Sequence, residues 1–537
     1  MNDENSYNLI DEAWIPVLMK DGSNRAVSLG EIFADTDGAI ADLALNPYER
    51  VAVFRLLLCI AQAALGPDHL KDEDAWKAAK SDVGPISADY LRKWHHRFFL
   101  YGPHAFLQPD DVKTSKDAGT GTSEHFNSDV SKLCLARASG NNSTLFDHGA
   151  TDCVRGMSDS ERIIGFLVFQ SFSAGGRFSQ CRWEGMLSPT NNEKGKPNNA
   201  LAAPCREKDM LFSILIGSNL SESIWLNLLC KDILDSAKIP LGSPIWESNT
   251  ISRAKMLDTP RSYLGHLVPL SRIVKLFQGS EEVIMGEGVI YPTLNPDKKN
   301  PDKRSYGWRE PMATVKSNGD DPPDYVSSDL TRLPWRDLAS ILAINGNNGS
   351  KSALALRNIE SLPDEKEFVL WMGGLCTSQA KEIGVVEWFA RLSIEWLEDS
   401  SIQRYRTAIK IAETQCNHLI SAAISYSESM KMSKVKKDKK EIYRPTDISE
   451  SAYWDILAQP ENQKIVMCVE SETYMDDWKE ATHKAAEEAY RRACPAVTAR
   501  QMEAFAQGFA KLWVPDRKKD KADGSTDSEE PEGDDYV

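Results

Sequence analysis

Apolar residues recur at helical spacing in two places early in the chain. Val51, Phe54, Leu57, Leu58 and Ile60 follow Asn46-Pro47. Asparagine at the N-cap and proline at the first helical position fit a helix start, so the spacing predicts a helix from Pro47 with one core face. A second helix is predicted to start near Ser160 and to run through Ile163, Ile164, Leu167 and Phe169. Around these, short apolar runs alternate with Gly-, Pro- and Asn-rich stretches. Three long polar regions stand out, at 109–152, 188–204 and 294–328. Loops of this length inside a compact domain are uncommon and are usually functional or disordered. Three of them predict a scaffold that presents loops to a partner.

From about Gly384 glycine and proline thin out and helical periodicity takes over. Val386, Phe389, Leu392 and Leu397 predict one helix. Residues 401–430 predict a long second one with Ile409, Ala412, Cys416 and Ile420 as its stripe. Further helices are predicted near 449–472, 476–494 and 498–513, with one basic connection over 431–445. The fold class expected is therefore α+β. A large mixed domain spans 1–380, a C-terminal antiparallel four-helix bundle spans 381–515, and an acidic tail over 516–537 is expected to be disordered. No internal repeat is visible.

Composition narrows the function classes. The chain has 537 residues, 63 Lys+Arg and 79 Asp+Glu, for a formal charge of −16. With 41% apolar and 26% charged residues it reads as ordinary soluble globular protein, of two to four domains by length. The acidic, polar opening MNDENSYNLIDEAW has no signal or transit character. The longest apolar run, Val51 to Leu65, is broken by Arg55 and Gln62 and is expected to be too short to span a bilayer. Ten cysteines are scattered, with no C-x-x-C spacing, which suggests reduced thiols and a cytoplasmic location. The acidic balance argues against a chain that coats nucleic acid over its whole surface. It leaves room for a local basic groove.

Catalytic signatures are missing. His95-His96 lacks a partner ligand at helical spacing and reads as a surface or interface pair. No G-x-S-x-G, P-loop or H-E-x-x-H pattern occurs. The acid pairs Asp110-Asp111, Asp320-Asp321 and Asp476-Asp477 read as solvated turns or first-turn helix acids. Nothing assembles a nucleophile with its base, or a metal site, so the sequence leans towards a binding protein.

Binding chemistry is easier to find. SGNNSTLFDH (139–148) combines turn residues with Phe146, which reads either as a plug into its own domain or as a stacking platform for bases. In SAGGRF (173–178) paired glycines let a backbone approach another chain, and Arg177 could meet a phosphate or a base edge. In WMGGLCTSQA (371–380) Gly373-Gly374 are expected to open a turn, with Gln379 projecting just before the bundle. Basic residues cluster at Lys298, Lys299, Lys303 and Arg304, and again from Lys431 to Arg444. Such clusters are usually solvated faces, but they also attract phosphates and give salt-dependent binding.

Six segments in order resemble one family. YNLIDEAWIPV (Tyr7–Val17), HAFLQ (His104–Gln108), SGNNSTLFDH, SAGGRF, SYLGHLVPLSRIVKL (Ser262–Leu276) and MGG with SQA (Met372–Ala380) are similar to signatures of the CasA family. CasA is the large subunit of the type I-E CRISPR surveillance complex, Cascade. The resemblance covers about 7–515. It implies a non-catalytic subunit that reads the protospacer-adjacent motif (PAM) of duplex DNA from the minor groove. It also implies help in opening the duplex for guide-RNA pairing and docking of a helicase–nuclease.

Position by position, the resemblance makes Gln379 a wedge below the PAM, with Ser378 beside it. Gly175 and Gly176 would meet the minor groove, flanked by Ala174 and Arg177. Asn141, Asn142, Phe146 and His148 would sit on a loop facing the RNA 5′ end and the neighbouring subunits. Lys298 and Lys299 match a lysine pair that holds DNA, and Lys436, Lys437 and Lys440 would guide the displaced strand. Partners implied are the other Cascade subunits, CRISPR RNA, target duplex and the effector helicase–nuclease, with no membrane.

Two departures follow. Some members bind zinc through two C-x-x-C pairs, and this chain has neither, so no metal or other cofactor is expected. The family's lysine finger falls near Glu281 or Glu282 here, which makes Lys275 the candidate substitute. A protein-docking scaffold without DNA readout, or a nuclease with an unrecognised site, are the alternative functions.

Overall fold

The computed structural model describes residues 5–110, 112–115, 122–123, 127–135, 156–176, 181–183, 186–188, 201–248, 251, 256, 258–295, 307–318, 321–344, 350–362, 366–378, 381–437, 440–459 and 464–513. It is a mixed α and β structure with a helical C-terminal region, in two compact units, Met1–Gln403 and Arg404–Val537. That division comes later than the expected 380/381.

The first unit is built around the helix Pro47–His69. Its start is as the sequence predicts: the Asn46 side chain accepts from Glu49 N at 3.2 Å and Pro47 takes the first helical position. Every residue from Pro47 to Gln62 except Glu49 is buried. The helix packs against Val83–Trp94, Asp159–Phe172, Tyr263–Leu267 and the strand Glu367–Ser378. At 23 residues it is long and apolar enough to cross a membrane, which corrects the reading of a short broken run. Burial of Arg55 and Gln62 explains how it serves as a core helix instead. The Gln62 amide donates to Leu229 O at 2.8 Å and its carbonyl accepts from Leu229 N at 2.9 Å.

One antiparallel sheet runs Phe212–Ile216, Glu367–Ser378, Lys381–Ser393, in that order. The last two strands form a long hairpin, with Glu367 opposite Ser393 and Ser378 opposite Lys381. This corrects the helix expected over Val386–Leu397, where only a 3-10 turn, Ile394–Leu397, follows the strand. Burial in the strand alternates with period two: Val386, Ala390 and Leu392 face in, while Ile383, Val385 and Phe389 are exposed. Val386 and Phe389, three apart, suit a helical face, whereas Val386, Ala390 and Leu392 suit a 2-residue period. The β-branched and aromatic content, Ile383 to Phe389, is what favours the strand.

Gly373 and Gly374 are likewise strand residues, not the opening of a turn. A Cβ on Gly374 would lie 2.2 Å from Ser328 Oγ and 2.8 Å from Met210 O. On Gly373 it would lie 2.4 Å from the Trp371 ring. The pair lets neighbouring chain segments pack onto the sheet. Gly374→Ala is expected to destabilise the first unit by about 1–3 kcal/mol, the usual range for overpacking. Denaturant unfolding of the variant checks this, and an unchanged midpoint would contradict it.

Other strands are short. Arg272–Lys275 pairs with Glu282–Glu287, which pairs with Ser128–Asp129. The polar regions are thus not wholly without structure, since they also contain Val112–Ser115, Val315–Asn318 and Asp321–Tyr325.

The second unit is helical. The helix Asp399–Ser429 continues into it and buries Ala408, Ala412, Cys416, Leu419, Ala422 and Ala423 on one face. These small residues let large aromatics close in: Trp478 Nε1 donates to Ala408 O at 2.8 Å and Tyr453 OH to Ala412 O at 2.9 Å. The region expected as one helix over 449–472 is two, Arg444–Ala458 and Ile465–Glu470, and Pro460 lies between them. Met475–Ala493 and Ala499–Phe509 complete the set, with Asp476 and Asp477 in the first turn of the former as expected. The basic connection contains a hairpin, Val435–Lys437 with Lys440–Ile442. The expected tail over 516–537 lies outside the described residues.

Candidate nucleic-acid interface

The helix Asp159–Phe172 delivers the glycine segment. A capping box at Ser158 and Glu161 starts it, each satisfying the other's backbone N–H. The helix is buried from Arg162 to its end and stops at Ser173, which is extended. Ala174 and Gly176 are half-buried and Gly175 is exposed. Gly176 has φ +146°, and a Cβ there would meet nothing within 4 Å. The backbone conformation, not crowding by the described residues, selects glycine here.

Buried side chains fix the base of this segment. Arg272, 2% exposed, donates to Ala174 O at 3.1 Å, to Leu201 O at 2.6 Å and to Ser271 O at 2.7 Å. Burial pushes its guanidinium down to about 10, and the facing Glu287 pulls the other way. Gln170 clasps the same strand, donating to Arg272 O at 2.8 Å and accepting from Arg272 N at 2.9 Å. Arg206 donates to Phe172 O at 3.1 Å. The sequence reading missed all three. Arg272 lay inside the quoted SRIVKL segment, and a charged residue between apolar strand positions was its one visible signal.

The end of the long hairpin is anchored from the same side. Thr377 donates to Asp209 twice, through its N at 2.9 Å and its Oγ1 at 2.7 Å. Asp209 O accepts from Ser328 N at 2.7 Å. Lys208 and Asp209 both lie in the left-handed region, φ +57° and +49°, a costly turn that these bonds hold. Arg206 sits among acids: burial pushes its guanidinium down, while Asp209 and Glu382 oppose that. Glu382, at the start of the returning strand, has its carboxyl pushed up by burial and by Glu49, with Arg206 opposing.

One stretch, Leu201 to Asp209, therefore serves both features. Leu201 O meets Arg272, Ala203 N donates to Ser173 O at 2.9 Å, Arg206 holds Phe172, and Asp209 holds Thr377. The exposed glycine segment and the exposed Ser378 share a single rigid footing.

The remaining expected residues stand as follows. Lys275 ends the strand that begins with Arg272 and is half-buried; burial pushes its ammonium down, and Asp110 opposes. Glu281, expected near the finger position, accepts from Arg162 Nη2 at 2.9 Å and is committed to that ion pair. In the second unit Lys436 is exposed opposite Glu441, and Lys437 pairs with Lys440 in the hairpin register. Gln379, Arg177, Lys298, Lys299, Asn141, Asn142, Phe146 and His148 lie outside the described residues. Among the described residues no group of three or more His, Cys, Asp or Glu is arranged to hold a metal ion.

Comparison with known proteins gives one consistent result. The family model for CRISPR-associated protein Cse1 matches residues 8–489. The CRISPR-associated protein CasA/Cse1 of Thermus thermophilus is 28% identical over 530 residues, covering 94% of this chain and 95% of that protein. The crystal structure of Thermobifida fusca Cse1 superposes with TM-score 0.71 at 19% identity, over 95% of this chain and 99% of that one. A chain of a CRISPR RNA-guided surveillance complex gives TM-score 0.72 at 16% identity, over 95% and 100%. With a family match across nearly its whole length, this chain belongs to the CRISPR-associated Cse1 (CasA) family.

Proposed function

We propose that the chain is the large, non-catalytic subunit of a type I-E CRISPR RNA-guided surveillance complex and reads the PAM of duplex target DNA. The observation that carries this reading is the common footing of the glycine segment and the hairpin end on Leu201–Asp209. Reading a base pair while splitting the next one requires two elements held in fixed register. An unpaired wedge alone would lose to base stacking, which is worth a few kcal/mol per step.

In this reading Ala174, Gly175, Gly176 and Arg177 approach the minor groove, and Gln379 with Ser378 enters below the PAM. Lys275 supplies a cation beside them. Lys298, Lys299, Lys436, Lys437 and Lys440 hold the opened strands. The loop with Asn141, Asn142, Phe146 and His148 faces the RNA and neighbouring subunits. Opening of the duplex then allows guide-RNA pairing, and the same subunit docks the helicase–nuclease. The work is done in the cytoplasm and needs no metal or cofactor on this chain. The two units correspond to a PAM-recognition domain and a helical domain.

The test is reconstitution of the complex with guide RNA, with and without this chain. Binding of PAM-bearing duplex is expected to need the chain, and the logarithm of affinity to fall steeply with the logarithm of salt. Binding of duplex that is unaffected by leaving the chain out would contradict the proposal.

A further inference from the structure

A cavity of about 930 Å³ opens in the first unit. Among the described residues its charge is one-sided: Lys238, Arg261, Arg309, Lys351 and Arg357 line it against one acid, Glu360. Few of these cations are already neutralised. Arg261 lies 3.8 Å from Asp258, and Arg357 donates to Ser236 Oγ at 2.6 Å. Lys238, Arg309 and Lys351 have no ion-pair partner among the described residues. The Arg309 Nε is buried without a hydrogen-bond acceptor. Burial, together with the like charge of Arg357, pushes the Arg309 guanidinium down to about 10.

The like charges of Arg309 and Arg357, both half-buried, oppose each other, and an anion held between them would relieve that repulsion. Lys238 is exposed at the rim. It ends the helix Lys231–Ala237 in the left-handed region at φ +57°, a position glycine usually takes. Pro240, Ile239 and Trp308 supply an apolar wall. The volume is in the range that encloses small molecules, and the cations converge on a concavity instead of following a track.

We propose that this cavity is a binding site for a small phosphorylated anion of about nucleotide size. Two guanidiniums offer paired N–H donors to phosphate oxygens, and the two lysines add point charges at the rim. The site is independent of the DNA-reading assignment.

The test is calorimetric titration of the full-length chain with ADP, with inorganic pyrophosphate and with a short oligothymidylate. Saturable binding of ADP and pyrophosphate is expected. It should weaken about tenfold or more in the Arg309→Gln, Arg357→Gln double variant, which removes two charge-assisted contacts. Lys351→Gln, whose exposed side chain leaves the packing untouched, should weaken it about threefold. No saturable binding of either probe, or equal binding by wild type and variants, overturns the proposal. Binding of oligothymidylate alone, lost in the same variants, also overturns it, because the cavity would then serve a nucleic-acid strand.

Discussion

Glu310→Ala is expected to destabilise the first unit by about 3–5 kcal/mol, the range for removing one partner of a buried ion pair. Arg55 and Glu310 are 0% and 1% exposed, with Nη1 2.6 Å from Oε1. Arg55 also donates to Leu267 O at 2.9 Å and to His266 O at 2.6 Å, and His266 Nε2 lies 3.2 Å from Glu310 Oε2. Removing the carboxylate leaves a guanidinium in the core with backbone carbonyls only.

The same network sets a pH dependence. Burial alone would push the Glu310 carboxyl up, but Arg55 and His266 outweigh it and hold it down to about 2, against an ordinary 4.5. A depressed carboxylate stabilises the fold above its unfolded value, and the gain is lost as pH falls from 4.5 towards 2. Roughly 1 kcal/mol of the Glu310 contribution is gone by pH 4 on those values. The penalty of Glu310→Gln, measured by denaturant unfolding, should therefore shrink between pH 7 and pH 4. A penalty that grows over that range would contradict the assignment.

Arg272→Met has the second large effect, on function more than on stability. Methionine escapes the burial cost of the guanidinium but leaves the Ser271, Ala174 and Leu201 carbonyls without their donor. A net loss of about 1–3 kcal/mol is expected from such unpaired groups. The glycine segment then loses its tie to the Arg272 strand. Binding of PAM duplex by the assembled complex should fall tenfold or more, while binding of single-stranded target stays within about twofold, since only the duplex needs splitting. Arg272→Lys keeps the charge but not the fork that spans the three carbonyls, and should fall between. Unchanged duplex binding by a folded Arg272→Met protein would show that the footing does not govern recognition.

Much of this was legible in the sequence where one pattern had one meaning. Asn46-Pro47 announced the core helix, and the stripe at Ile409, Ala412 and Cys416 announced the long C-terminal helix, although Leu419 fills the place given to Ile420. The ordered segments from Tyr7 to Ala380 pointed to the family that the comparisons confirm. Failures came where period was ambiguous or the cause lay far away in the chain. Lys381–Ser393 carries Val386 and Phe389 at helical spacing beside its strand alternation, and its β-branched content with its pairing to Glu367–Ser378 decides for the strand. Gly373-Gly374 resembles a turn locally, yet the reason for both glycines is Ser328, Met210 and Trp371 packing over them. Arg272, Arg206 and Asp209 were invisible because their partners are distant in the chain: carbonyls for the two arginines, the Thr377 N–H and hydroxyl for Asp209. Their partners lie up to 168 positions away.

The central claim is that the glycine segment and the hairpin end open duplex DNA together. The most direct measurement is the rate of R-loop formation by the assembled complex carrying Gly176→Leu or Gln379→Ala, on a PAM duplex and on the same target pre-opened next to the PAM. Both variants are expected to slow the duplex reaction about tenfold or more, as a lost splitting contact of more than 1.4 kcal/mol requires. The pre-opened target should restore Gln379→Ala to near the wild-type rate. Wild-type rates for both variants on the closed duplex would contradict the account.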